Sequence, residues 1–93
     1  MRAIKPTRAF QKDFRREMTG KRGKVLQQTL SSVIDQLARN VSLSPRFKEH
    51  ALKGKWARHR ECHLRPDLLL IYRKPDNETL TLVRLGSHAE LFD

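Results

Sequence analysis

Apolar residues recur along this chain at two different periods. Phe10, Phe14 and Met18 fall four residues apart, which puts them on one face of a helix, and Thr7 ahead of them is of the type that caps a helix N-terminus. Leu26, Leu30, Val33, Ile34 and Leu37 repeat the helical spacing between Lys24 and Arg39. Thr19-Gly20 and Gly23 break the two stretches, so the pattern predicts an antiparallel helix hairpin with both apolar faces turned to a sheet. Asn40 ends the second helix, and Ser42-Leu43-Ser44-Pro45 reads as irregular chain.

Further on, the period drops to two. Trp56 to Leu64 alternates as a strand, with Ala57, His59, Glu61 and His63 on one face and Arg58, Arg60, Cys62 and Leu64 on the other. Leu68 to Tyr72 is an unbroken apolar run ending in strand-favouring residues, the signature of a buried central strand. Thr79 to Leu85 supplies the next strand, with Leu80 and Leu82 facing the helices and Val83 and Leu85 on a partly covered opposite face. Pro66-Asp67 and Lys74-Pro75-Asp76-Asn77 mark the corners of an antiparallel meander. Arg2 to Pro6 reads as a short first strand or extended lead-in with Ala3 or Ile4 turned inward. Arg46 to Lys55 forms a long polar loop before Trp56, and Trp56 anchors it in the core. Gly86 to Phe92 is expected to be too short for a packed helix and to turn back over the sheet edge. The expected fold class is α+β: an N-terminal helix hairpin packed on an antiparallel sheet of about four strands, in a single domain spanning residues 1–93.

Composition narrows the function. The formal net charge is +10, and such a surface attracts polyanions, nucleic acid first among them. No apolar segment approaches the roughly 20 residues needed to cross a bilayer, and the N-terminus lacks an apolar signal region, so the default compartment is the cytoplasm. The single cysteine, Cys62, excludes an internal disulfide and a multi-thiolate zinc site.

The four histidines are His50, His59, His63 and His88. On a meander the end of one strand adjoins the start of the next, which brings His63 close to Asp67. The last strand runs antiparallel to its predecessor, which carries Ser87-His88 to the same end. His50 joins them if its loop folds back. His59 reads as a solvated or phosphate-contacting side chain, and its strand spacing from His63, about 13 Å, excludes a helical metal pair.

Such a cluster suits cleavage of RNA through its own 2′-hydroxyl. That reaction needs a base, an acid for the departing 5′-oxygen, and positive charge on the phosphate. Imidazole fits the first two roles because its ordinary pKa, about 6.5, lies near neutrality. Arg84, Arg60 and Lys53 are candidates for the third, and Phe92 for a hydrophobic plug or a base-stacking surface. The route requires no metal and no cofactor.

Three blocks carry a family resemblance: Phe47 to Trp56; His63-Leu64-Arg65-Pro66-Asp67 followed by Leu70-Ile71-Tyr72; and Arg84 to Phe92. In them the chain resembles the YafQ-like toxins of the RelE/ParE superfamily, ribosome-dependent mRNA interferases of bacterial toxin-antitoxin pairs. The N-terminal helices match in pattern only. The resemblance implies a fold like that of small microbial ribonucleases and cleavage of mRNA in the ribosomal A site. It assigns His50, His63, Asp67 and His88 to the catalytic set, with His88 as general acid, Asp67 or His63 as base, Arg84 on the phosphate and Phe92 near the substrate. It also implies an acidic antitoxin, typically a small dimer with a DNA-binding N-terminal part. One departure is Leu68, where these toxins can carry Trp after the Pro-Asp pair. Two rival readings are a ParE-like gyrase poison, which needs no histidine cluster, and a nonenzymatic RNA- or ribosome-binding protein, for which charge suffices.

Overall fold

The computed structural model describes residues 1–20 and 23–92. The described elements are β1 (Ala3–Pro6), α1 (Arg8–Met18), α2 (Gly23–Ala38), β2 (His50–Ala51), β3 (Arg60–Arg65), β4 (Leu68–Arg73), β5 (Thr79–Gly86) and α3 (His88–Phe92). Short 3-10 turns at Pro45–Phe47 and Gly54–Trp56 flank β2. The strands form one five-stranded sheet in the order β1-β5-β4-β3-β2. β1 runs parallel to β5 and every other pairing is antiparallel. None of the described helices is long and apolar enough to cross a membrane.

The helix hairpin forms as its periodicity predicts. Thr7 caps α1, its hydroxyl accepting from the Phe10 N–H at 3.0 Å. Gly23 opens α2 against the end of α1, where a Cβ would stand 2.3 Å from the Met18 carbonyl oxygen, a space that no side chain fits. Phe10 from α1 and Leu26, Leu30, Val33 and Leu37 from α2 pack on Leu70, Tyr72, Leu80 and Leu82 of the sheet. β4 is the central strand, buried along Leu68–Tyr72. Its run is continuous because its other face is covered too: Leu69 and Ile71 pack with Leu91, Leu52, Trp56, Val83 and Phe92 in a second, smaller cluster.

Several expectations need correcting. The sheet has a fifth strand because two residues of the expected loop, His50 and Ala51, pair with Glu61 and Arg60, too short a stretch for alternation to reveal. β3 starts at Arg60 rather than Trp56: Gly54 and Arg58 both adopt positive φ, and the 3-10 turn they bracket keeps the chain from extending. Neither Ala3 nor Ile4 is buried. Ile4 is registered with the buried Leu80, but on an edge strand it is 40% exposed. Leu85 belongs to the helix-side core with Leu80 and Leu82. Ile71 pairs with Arg84 and Tyr72 with Leu82, so Val83 is an inserted residue that reverses the facing of Arg84 and Leu85 beyond it. The tail does form a helix, of one turn, and seats Leu91 in the second cluster.

α1 continues the job of β1. Where β1 ends opposite Leu82, Thr7 N–H donates to Leu82 O at 2.9 Å and Thr7 Oγ to Val83 O at 2.8 Å. Further along the helix, Asp13 accepts from Leu85 N–H at 3.0 Å and Arg16 donates to Leu85 O at 3.0 Å. Side chains of the helix thus satisfy the edge of β5 that no strand covers.

Candidate active site

The face of the sheet opposite the helix pair carries the histidines. Glu61 and His63 are registered with Ile71 and Leu69, whose side chains lie in the second cluster, so both stand on that face. The hairpin between β3 and β4 is a two-residue turn at Pro66-Asp67, with Leu64 inserted in the ladder between His63 and Arg65. This bulge lets Leu64 enter the helix-side core while His63 stays on the opposite face.

Glu61 is the hub. It is 3% exposed, and its Oε2 lies 3.0 Å from His50 Nε2 and 3.4 Å from His63 Nε2. His50 reaches it because β2 registers His50 directly opposite Glu61. The other ring nitrogen of His50, Nδ1, lies 2.8 Å from the Lys48 carbonyl oxygen. A carbonyl only accepts, so the tautomer that makes this bond carries its proton on Nδ1 and turns Nε2 to the carboxylate. Glu61 Oε1 is buried with no hydrogen-bond partner. The ligand atoms of His50, Glu61 and His63 all lie within 4.8 Å of one another, a two-imidazole, one-carboxylate set that could hold a transition metal.

His88, first residue of α3, brings the third imidazole: its ring centroid is 6.0 Å from that of His63, and its Nδ1 is 4.0 Å from Asp67 Oδ1. The ring of Phe92, one turn later, lies 5.7 Å from His88 and 6.0 Å from Trp56. Phe92 is therefore both part of the second cluster and a wall of the site. His50, His63, Asp67, His88 and Phe92 converge as expected. Glu61 joins them although the strand pattern marks it only as a facing neighbour of His63; a carboxylate two residues from a histidine on one face of a strand was the available signal. Cys62 next to it is buried, and burial, reinforced by Glu49 and Glu61, pushes its thiol up to about 12, which leaves it a packing residue.

Other candidates lie elsewhere. Arg60 is registered with Tyr72, on the helix side, and its Nε is 3.5 Å from Glu49. Lys53 is exposed at the start of the second 3-10 turn. His59 packs edge-on against Trp56 with centroids 5.3 Å apart. Leu68 is buried in the helix-side core, so it offers no stacking surface like that of Trp.

Arg84 is held from behind. Its Nε is 2.7 Å from Asp13 Oδ2, and Asp13, 3% exposed, also receives Arg16 at 3.0 Å. Burial works to raise the Asp13 carboxyl, but the hydrogen bonds from Arg84, Leu85 and Arg16 and the charge of Arg84 outweigh it and hold the group below its ordinary 3.8. Arg16 reaches on to Glu90 at 3.3 Å. Glu90 in turn accepts from Ser87 N–H at 2.8 Å, while its own N–H donates to Ser87 Oγ at 3.2 Å, a capping box at the start of α3. This network ties α1 to the segment that presents His88. Asp13 was missed because it sits within the Phe10/Phe14 face of α1, where a lone carboxylate was the signal.

Residues 2–93 match the family described as bacterial toxin of type II toxin-antitoxin system, YafQ. The mRNA interferase toxin YafQ of Escherichia coli K12 is 44% identical over 46 residues, 50% of this chain and 49% of that protein, so the chain spans about half the length of the curated relatives it matches. Among solved structures, a copper-bound mutant toxin from Helicobacter pylori superimposes with a TM-score of 0.87 at 41% identity, covering 99% of this chain and 100% of that one. The E. coli DinJ-YafQ complex gives 0.86 at 30% identity, covering 100% of both chains. By full-length family match and by fold, the chain belongs to the YafQ family of bacterial toxins from type II toxin-antitoxin systems.

Proposed function

We propose that the chain is a ribosome-dependent endoribonuclease that cuts mRNA in the ribosomal A site, working in the cytoplasm and restrained by an acidic antitoxin. The observation that carries this reading is the pairing of imidazoles with carboxylates on one exposed face: His63 beside Glu61 at 3.4 Å and His88 beside Asp67 at 4.0 Å. Two such pairs are what a 2′-hydroxyl attack needs. His63 takes the 2′-hydroxyl proton, and Glu61, too buried to reach substrate itself, orients the ring and supports the charge it gains. His88, its side chain 56% exposed, protonates the departing 5′-oxygen, with Asp67 aligning it. His50 packs beside His63 at Glu61, and Arg84, fixed by Asp13, supplies a permanent cation. Phe92 borders the position of a neighbouring base.

The relatives support the assignment by name: one is an mRNA interferase toxin and another is seen in a DinJ-YafQ complex. The net charge of +10 suits both mRNA on the ribosome and the acidic arm of an antitoxin. Purified protein added to translating ribosomes should cut mRNA at defined codons, and His88→Ala should lower the rate by roughly 10²- to 10⁴-fold. Equal cutting by the two would remove His88 from the mechanism. Growth arrest with intact mRNA, persisting in His63→Ala and His88→Ala, would favour a gyrase poison or a nonenzymatic ribosome binder instead.

A further inference from the structure

Two cavities flank the Arg65-Pro66-Asp67 corner. The first, about 420 Å³, is bordered by His63, Arg65, Arg46, Lys48 and Phe47. The second, about 600 Å³, shares Arg65 and Pro66 but carries Glu17 and Asp67. Among the described residues lining the first there is no carboxylate, and Arg46, Lys48 and Arg65 enter none of the described ion pairs.

The position of this first cavity comes from the sheet. β2 pairs only with Arg60 and Glu61, so beyond Glu61 the outer edge of β3 has no neighbouring strand. The 3-10 turn Pro45–Phe47 packs there instead, with the Arg46 guanidinium 4.7 Å from the centre of the Phe47 ring. Lys48 comes next in a left-handed conformation, φ 48°, and turns the chain into β2. The same Lys48 offers its carbonyl to His50, and His63 belongs to both the catalytic cluster and the cavity wall. Leu26 and Thr29 of α2 and Leu64 of the helix-side core complete its wall, so the cavity lies at the open edge of β3 and adjoins the histidine cluster through His63.

Resting on the ribonuclease reading above, we propose that this cavity is a subsite for the nucleotide adjoining the scissile phosphate, its own phosphate held by Arg46, Lys48 and Arg65. A continuous RNA strand presents its charges at regular short intervals, so a second cationic pocket beside the first is what it requires. The volume falls in the range of small-molecule pockets, large enough for one nucleotide unit.

The test uses ribosomes programmed with mRNA in which each phosphate flanking the cleavage site is replaced in turn by a neutral methylphosphonate. For the wild-type protein, one of the two replacements should raise KM roughly five- to tenfold with kcat little changed. Arg46→Gln and Arg65→Gln should show a similar rise on unmodified mRNA and no further loss on the methylphosphonate. Arg8→Gln and Lys12→Gln, of equal charge but on α1, serve as controls and should respond to the replacement like wild type. Additive losses in Arg46→Gln and Arg65→Gln, or variants indistinguishable from the controls, would overturn the subsite while leaving the nuclease reading intact. A wild-type protein that cuts no mRNA would overturn both. Unchanged RNA kinetics together with weakened binding of an acidic antitoxin peptide would assign the cavity to that partner and overturn the proposal.

Discussion

Glu61 shows how much one buried carboxylate can organise. Alone on a strand it would be costly to bury, yet it is 3% exposed because His50 and His63 converge on one of its oxygens. Replacing it with Gln keeps the shape and removes the charge that supports a protonated imidazole. Cleavage by Glu61→Gln should fall by about 10²- to 10⁴-fold in kcat with KM nearly unchanged, and Glu61→Asp should recover part of the loss. A rise in KM and a loss of thermal stability with unchanged kcat would instead make Glu61 a purely structural residue. The same three side chains also predict an inhibitor: copper(II), if held by His50, Glu61 and His63, would tie up the proposed catalytic imidazole of His63, so added copper should slow cleavage by wild-type protein and a chelator should restore it. The histidines were legible from their types and from meander topology. Glu61 was not, since its partners come from two other places on the chain.

At the scale of elements, the decisive arrangement is α1 lying along β5. Asp13 accepts from Arg84, Arg16 and the Leu85 N–H, and Arg16 continues to Glu90 in α3. Asp13→Asn should cost about 2–4 kcal/mol, since it weakens a buried ion pair and disturbs the acceptor for a buried N–H. Its pKa in the folded protein is held below the ordinary 3.8, so its stabilising contribution is fully present above that pH and is lost as pH falls through the folded value. Wild-type protein should therefore lose stability in acid below about pH 4 more steeply than Asp13→Asn; parallel acid profiles in denaturant melts would show that the pair contributes nothing to the pH dependence. Gly86 belongs to the same junction, where a Cβ would sit 3.0 Å from Glu90 Oε1 and 3.1 Å from an Arg16 terminal nitrogen. Helix periodicity announced α1 and α2 clearly. The Val83 bulge and the two-residue β2 escaped notice because each depends on the register of a neighbouring strand.

Across the whole molecule, two clusters share one central strand, and the histidine cluster stands on the thinner side. The helix pair buries one face of the sheet with a full apolar layer, whereas the other is closed only by Leu52, Trp56, Val83, Leu91 and Phe92. That smaller cap leaves room for polar side chains at the end of β3. With a net charge of +10, association with ribosomes should weaken steeply as salt rises, the logarithm of the affinity falling linearly with that of the salt concentration by about 0.7 per single-strand phosphate contacted. Cleavage at saturating ribosome should change little. Affinity insensitive to salt would mean that the positive surface takes no part in binding.

By itself the sequence determined the helix hairpin, the buried β4, the cationic surface and the set of candidate acid–base residues, because each is written in local spacing or in residue type. Tertiary structure alone decided that His50 pairs across to Glu61, that Leu85 turns toward the helices, that Arg84 leans on Asp13 and that His88 is carried by a helix locked to α1. These outcomes depend on register and on hydrogen-bond groups left open at strand edges. Both are properties of pairs of segments, set only when the segments meet.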